Sequence, residues 1–234
     1  MDTIILFMTF HRLEYTKKSL SSLYETTRNF DLFIFDNGSN LDLKKYLLDF
    51  QDRHKNVKLY FSDVNLGIAR SMNLFFKLFK NEYKYLAKVD NDAIMSDNWL
   101  EYYREVVNVF DLDIVGGKHH VRFPDKRSFG DWVKKLPFKI HKDKKIWFTN
   151  LVSGNGCLIR SGFIDKYGYI IEPDFNRKLN GWSEFQCKCY KQGAKIGLCE
   201  EVFNTQLDIV KDNVQNDDYR EYSKMIEPFK RWKR

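Results

Sequence analysis

The sequence predicts an α/β protein built on a mainly parallel central sheet with helices on both faces. Three observations carry that expectation. Short apolar runs alternate with amphipathic segments through the first half of the chain, the order of a parallel sheet whose crossovers are helices. The first of these runs is almost wholly apolar, as suits a strand covered on both faces. Finally, each run ends in a polar cluster, and such sheets bind ligands beyond the carboxyl ends of their strands.

Taken in order, Thr3 to Thr9 reads as the first strand, and Leu13 to Tyr24 as a helix with Leu20, Leu23 and Tyr24 at helical spacing. Asp31 to Phe35 is the second strand, closed by the turn signal Asp36-Asn37-Gly38-Ser39. Leu41 to Phe50 follows as a helix with Leu43, Tyr46, Leu47 and Phe50 on one face. Val57 to Phe61, Ile68 to Phe79 and Tyr85 to Val89 continue as strand, helix and strand. Trp99 to Val109 is an amphipathic helix and Asp111 to Gly116 a short strand. Further on, Ser161 to Tyr167 is a short helix with serine as its cap. A longer helix begins near Asn180-Gly181-Trp182 and stops at Gln192-Gly193, and Lys195 to Cys199 is the last strand.

Composition bounds the function. At 234 residues, 43% hydrophobic and 16% aromatic, the chain suits one globular domain with a sizeable core. No apolar run approaches the roughly 18 residues needed to span a bilayer, and no basic leader opens the chain. These features predict a cytoplasmic protein, at most peripheral to the inner face of a membrane. Cys157, Cys187, Cys189 and Cys199 form no paired Cys-x-x-Cys motif. Reduced, mostly buried thiols are therefore expected, and a zinc site is not.

Four polar clusters fall at the strand ends: Thr9-Phe10-His11-Arg12, Asp36-Asn37-Gly38-Ser39, Asn65-Leu66-Gly67 and Asp90-Asn91-Asp92. Two carboxylates two residues apart on extended backbone point the same way and repel each other unless a cation lies between them. Hard oxygen ligands suit Mg²⁺ or Mn²⁺ completed by water and substrate phosphates. The same triplet is also turn and capping material ahead of the helix at Trp99. No Gly-x-Gly-x-x-Gly or Walker-type loop is present, so a nucleotide would have to be held by other means. Asp36 could accept from a base or ribose donor, and Arg12 and Arg70 could meet phosphate.

In order and spacing these motifs, together with Ile68-Ala69-Arg70-Ser71-Met72-Asn73, resemble the nucleotide-sugar half of family 2 glycosyltransferases with the GT-A fold, over about the first 115 residues. The resemblance implies that Asp36 reads the nucleobase and that Arg12 and Arg70 lie near base or diphosphate. It makes Asp90-Asn91-Asp92 the Asp-x-Asp signature, in which Asp92 holds the metal directly, while Asp90 serves ribose and, through water, the metal. Thr9, Asn65, Lys88 and Asn91 belong to the same donor rim. His11 departs from the asparagine usual after the first strand.

The second half resembles the family less closely. Val152-Ser153-Gly154-Asn155-Gly156 is similar to the segment lining the acceptor side. Glu184 matches the first member of an acidic pair that contains the catalytic base, whereas Phe185 occupies the second place. Glu184 is accordingly the expected base, with Asp174 in reserve. A late histidine that often ligates the metal is replaced by Val202-Phe203-Asn204-Thr205.

Between Lys118 and Lys145 lie ten Lys or Arg and three Asp, an excess of seven that equals the formal +7 of the whole chain. Basicity is thus local. Phe123, Phe129, Trp132 and Phe138 interleave with it, and Trp147 and Phe148 follow. Either this is a solvated loop with anchoring aromatics or it faces anionic material: a phosphorylated glycan, a lipid headgroup or nucleic acid. The chain therefore reads as one GT-A domain over residues 1–234: a donor half at 1–117, a basic aromatic-rich insertion at 118–148, and an acceptor half with a basic tail at 149–234. The expected activity is metal-dependent, inverting transfer from a nucleoside-diphosphate sugar, UDP-sugar favoured, to a cell-surface or lipid-linked saccharide. A modified base in DNA, reached through 118–145, is the alternative acceptor. A sugar-nucleotide or nucleic-acid binding module without activity is the alternative class.

Overall fold

The structure is a computed structural model that describes residues 1–119, 133–170 and 181–207. Four strands and three helices alternate first: β1 (Thr3–Thr9), α1 (Leu13–Thr26), β2 (Asp31–Asn37), α2 (Leu41–Arg53), β3 (Val57–Ser62), α3 (Gly67–Phe79) and β4 (Tyr85–Asp90). Then come β5 (Ala93–Met95), α4 (Trp99–Val109), β6 (Ile114–His119), β7 (Phe138–His141) and β8 (Lys144–Phe148). β9 (Cys157–Arg160), α5 (Gly162–Tyr167), α6 (Gly181–Lys191) and β10 (Ile196–Gln206) complete the described residues.

The strands form a single sheet in the order β3-β2-β1-β4-β9-β6-β10-β8-β7, with β5 paired to β10. It is parallel from β3 to β4, as the alternating sequence pattern demands. β9 enters antiparallel between β4 and β6, so the sheet is mixed. Alternation along β2 separates two apolar layers: Leu32 and Ile34 pack with Leu20, Leu43 and Leu47, while Phe33 and Phe35 pack with Phe75 and Phe76 of α3. All seven residues of β1 are buried. Each large apolar side chain there contributes about 1.5–3 kcal/mol relative to exposure, which anchors the sheet centre beneath the polar strand ends.

Most expected elements recur with ends shifted by a few residues, and α4 spans the residues read from sequence. β2 runs on through Asp36 and Asn37 because parallel pairing to Phe61 and Ser62 of β3 carries the backbone past the apolar stretch. The strand expected at Asp111 to Gly116 begins at Ile114 and ends at His119. Ser161 precedes α5 in helical conformation, and its side chain makes no capping hydrogen bond. The last strand is much longer than expected: after a bulge between Leu198 and Phe203 it pairs back to β5. Part of the basic segment is an ordered hairpin, β7–β8, at the sheet edge. Phe123, Phe129 and Trp132, the reserve base Asp174 and the basic tail at 225–234 lie outside the described residues. Among the described residues no helix is long and apolar enough to cross a membrane.

Candidate active site

A cleft of about 240 Å³ opens at the carboxyl ends of β1, β2 and β4, lined among others by Thr9, Arg12, Asn37, Asn65, Asp90 and Asp92. The parallel registers of β1 with β2 and β4 bring Thr9 level with Asp36, and Met8 level with Asp90. Residues far apart in sequence therefore meet at one rim.

Its charges are already paired. Arg12 is only 4% exposed, and its Nη1 donates to Asp92 Oδ2 at 3.3 Å. The guanidinium also lies over the Tyr15 ring, 4.7 Å from its centroid. His11 and Arg12 both take left-handed backbone, with φ of 53° and 66°. That conformation is unfavourable for residues carrying a Cβ and persists where surrounding contacts enforce it, as functional sites often do. Lys88, buried in β4, binds Asp90 Oδ1 through Nζ and also donates to the Gly154 carbonyl at 3.0 Å.

The sequence argument that Asp90 and Asp92 project alike from extended backbone does not hold. β4 ends at Asp90, and Asn91 and Asp92 form a turn before β5. What relieves their repulsion here is a separate cation for each, Lys88 for Asp90 and Arg12 for Asp92. The turn itself is held by Asn91, whose Nδ2 donates to the His11 carbonyl and to Thr16 Oγ1.

Asp36 stands beneath the cleft, not in its lining: it is 0% exposed, with Oδ1 accepting from Thr9 Oγ1 and Oδ2 from the Ser39 N–H. The neighbouring Asn37 does line the cleft, donating through Nδ2 to Asn65 Oδ1 and accepting from the Leu66 N–H. Arg70, in the first turn of α3, is exposed and outside the lining.

On the other side, Gly154 and Asn155 join the acceptor-side loop to the rim. The Asp90 N–H donates to Asn155 Oδ1, which sequence reasoning passed over although it lies in the glycine-rich stretch. Trp182 closes on Gly154 so tightly that a Cβ there would stand 2.9 Å from its indole Cδ1. Gln186 clamps α6 to the same loop, exchanging hydrogen bonds with the Val152 backbone. Glu184 therefore sits in the first turn of a helix fixed to the loop that caps Lys88, half-buried but outside the cleft lining. Phe185 is buried against Phe163, 5.6 Å between ring centroids, so this position belongs to the core. Cys157, level with Lys88, is buried, and burial pushes its thiol up to about 12. A thiolate is thus disfavoured behind the rim.

The chain has no late histidine, and β10 reaches the Asp92 turn by other residues. Gln206 pairs with Ala93, and the Leu207 N–H donates to the Asp92 carbonyl at 2.8 Å. Gln206 Oε1 is buried without a hydrogen-bond partner. No local sequence signal singles it out, because only the pairing of β10 with β5 brings it beside the Asp92 turn. Among the described residues no three His, Cys, Asp or Glu cluster as a metal cage.

Residues 4–168 match the family model described as Glycosyl transferase family 2. The chain belongs to this family. Two curated relatives, both described as uncharacterized glycosyltransferases of Haemophilus influenzae, are 23% identical over 193 residues and 25% identical over 147. Those matches cover 73% and 63% of this chain and 56% and 55% of the relatives, so the chain spans about half the length of the curated relatives it matches. Among solved structures, a mannosyltransferase from Pyrobaculum calidifontis in complex with GDP-Man and Mn²⁺ superposes with a TM-score of 0.71 at 12% identity, covering 94% of this chain and 59% of that one. S. aureus TarS 1-349 in complex with UDP-GlcNAc gives 0.66 at 15%, covering 88% and 59%. The family 2 chain thus has the GT-A α/β fold expected from its strand-end motifs.

Proposed function

We propose that this chain transfers a sugar from a nucleoside-diphosphate sugar, UDP-sugar favoured, to a saccharide hydroxyl, with inversion at the sugar carbon and with Mn²⁺ or Mg²⁺. The observation that carries the reading is the cleft at the strand ends, where Asp90, Asp92 and Arg12 converge beside Thr9, Asn37 and Asn65. The nucleotide-sugar ligands of the GT-A neighbours support it, as does the Mn²⁺ of the mannosyltransferase.

The donor set fits a small divalent cation, which is bound by one or two carboxylates plus substrate phosphates and seldom by a full protein cage. Asp92 and Asp90 would hold it, with the backbone of β10 bracing the Asp92 turn through the Leu207 N–H. When bound, such an ion stabilises charge on the departing diphosphate. Arg12, already facing Asp92, supplies a fixed positive charge at the same place, and Arg70 meets the diphosphate from α3. Thr9, Asn37, Asn65 and Asn91 shape the base and ribose side. Asp36 acts there chiefly by bracing the ends of β1 and β2. Lys88 holds Asp90 against the Gly154 loop.

Glu184 takes the proton of the acceptor hydroxyl while its oxygen bonds to the sugar carbon, and the bond from that carbon to the diphosphate breaks. Residues 1–117 serve the donor, 149–234 the acceptor, and 118–148 an added surface; the protein works in the cytoplasm. Turnover tests the reading: Mn²⁺-dependent release of UDP from a UDP-sugar should fall 10²–10⁴-fold in Glu184→Gln while UDP affinity stays within about twofold. Unchanged turnover in that variant removes Glu184 as the base, and no turnover of any nucleotide sugar by the wild-type chain removes the enzyme reading.

A further inference from the structure

The β7–β8 hairpin is basic, and its β7 strand is exposed. Residues 134–145 carry six lysines and a single acid, Asp143. Every residue of β7 is exposed, and with Lys139 stand Phe138 and Ile140 at 53% and 61% exposure. Phe138 and Ile140 are two apart on a strand, so they share one face. The hairpin turns at Lys142 and Asp143, where Lys142 adopts φ 53°.

Register fixes where this turn points. Lys88 of β4, Cys157, Gly116, Leu198, Trp147 and Phe138 lie on one level across the sheet. β7 runs in the direction of β4, so His141 and Lys144, three pairs further along, project toward the rim that bears Asp90. Five strand spacings separate β4 from β7, about 24 Å at the usual interval. The basic turn and the donor cleft therefore open at the same edge of the sheet.

We propose that this hairpin docks the protein on an anionic lipid bilayer, with the cleft rim facing the membrane. Charge complementarity supplies the first argument: residues 134–145, the hairpin with the turn that leads into it, hold six lysines against one acid, five of the chain's formal +7, and juxtamembrane lysines are drawn to anionic headgroups. The apolar pair supplies the second and selects lipid over other polyanions. Ile140 is aliphatic and the more exposed of the two; it gains by entering the headgroup boundary and offers a nucleobase no stacking surface. The Phe138 ring is already covered by Lys145 Nζ, 4.4 Å from its centroid. The surface stands apart from the donor cleft and is tested without reference to sugar transfer.

Flotation of the full chain with vesicles of 70:30 phosphatidylcholine and phosphatidylglycerol, beside pure phosphatidylcholine, tests it. Binding should require phosphatidylglycerol, weaken steeply between 0.05 and 0.5 M NaCl as a test of screening, and fall roughly 30-fold in Lys139→Glu/Lys142→Glu, at about fivefold per lysine contact. Ile140→Ser should lose several-fold more than any change in its thermal melting explains. A 20-base-pair DNA duplex is the comparison ligand. Equal binding to both vesicle types overturns the proposal. So does duplex binding that loses affinity with the lysines while Ile140→Ser leaves both ligands untouched, which would make the hairpin a nucleic-acid surface. The salt dependence of the wild-type chain keeps the test decisive if a variant fails to fold.

Discussion

At the strand-end cleft Arg12 and Lys88 are buried and each grips a carboxylate, whereas on the β7–β8 hairpin Lys139 and Lys142 stand exposed. Burial explains the contrast. A buried charge must be neutralised on the spot, so the cleft's cations and acids are fixed in place by one another before any ligand arrives. An exposed lysine on an edge strand keeps its hydration and acts through its field, over a range set by salt. The two regions therefore use the same side-chain chemistry for opposite ends: orientation in one, attraction in the other.

Substitutions should separate them. The largest stability loss is expected from Arg12→Met, which leaves the Asp92 carboxylate buried without its guanidinium; urea unfolding should show a loss of about 3 kcal/mol. Adding Asp92→Leu should recover part of that loss, because the stranded charge is then gone. A loss below about 1 kcal/mol would mean that water already solvates Asp92 and that the cleft is not fixed in advance. At the other extreme, Lys139→Glu/Lys142→Glu should shift unfolding free energy by no more than about 0.5 kcal/mol. A larger shift would make the hairpin lysines structural and erase the contrast.

The sequence carried the parallel half well because each of its signals is local. Apolar runs, Asp36-Asn37-Gly38-Ser39 and Asn65-Leu66-Gly67 state their own conformation through side-chain preference and turn chemistry. The rim at Asp90-Asn91-Asp92 was legible as a cluster but not in its pairings, since Arg12 meets Asp92 across 80 positions of sequence. Nor was the antiparallel entry of β9 readable: its four residues, Cys157–Arg160, are apolar up to Arg160, and nothing in them states direction. Phe185 shows the limit of motif matching. Set against the family pattern it looks like a lost acid, yet its ring is a core contact with Phe163. Gln206 was missed for the converse reason: only the pairing of β10 with β5 brings it beside the Asp92 turn.

Donor binding tests the cleft most directly. Thermal unfolding of the wild-type chain should rise with UDP or a UDP-sugar in the presence of Mn²⁺ and rise less without it, since a ligand held only by the folded state stabilises that state. In Asp92→Asn, measured against its own ligand-free midpoint, the Mn²⁺-dependent part of the rise should vanish. An undiminished Mn²⁺-dependent rise in that variant, or no response of the wild-type chain to any nucleoside diphosphate, would contradict a diphosphate held at Asp92.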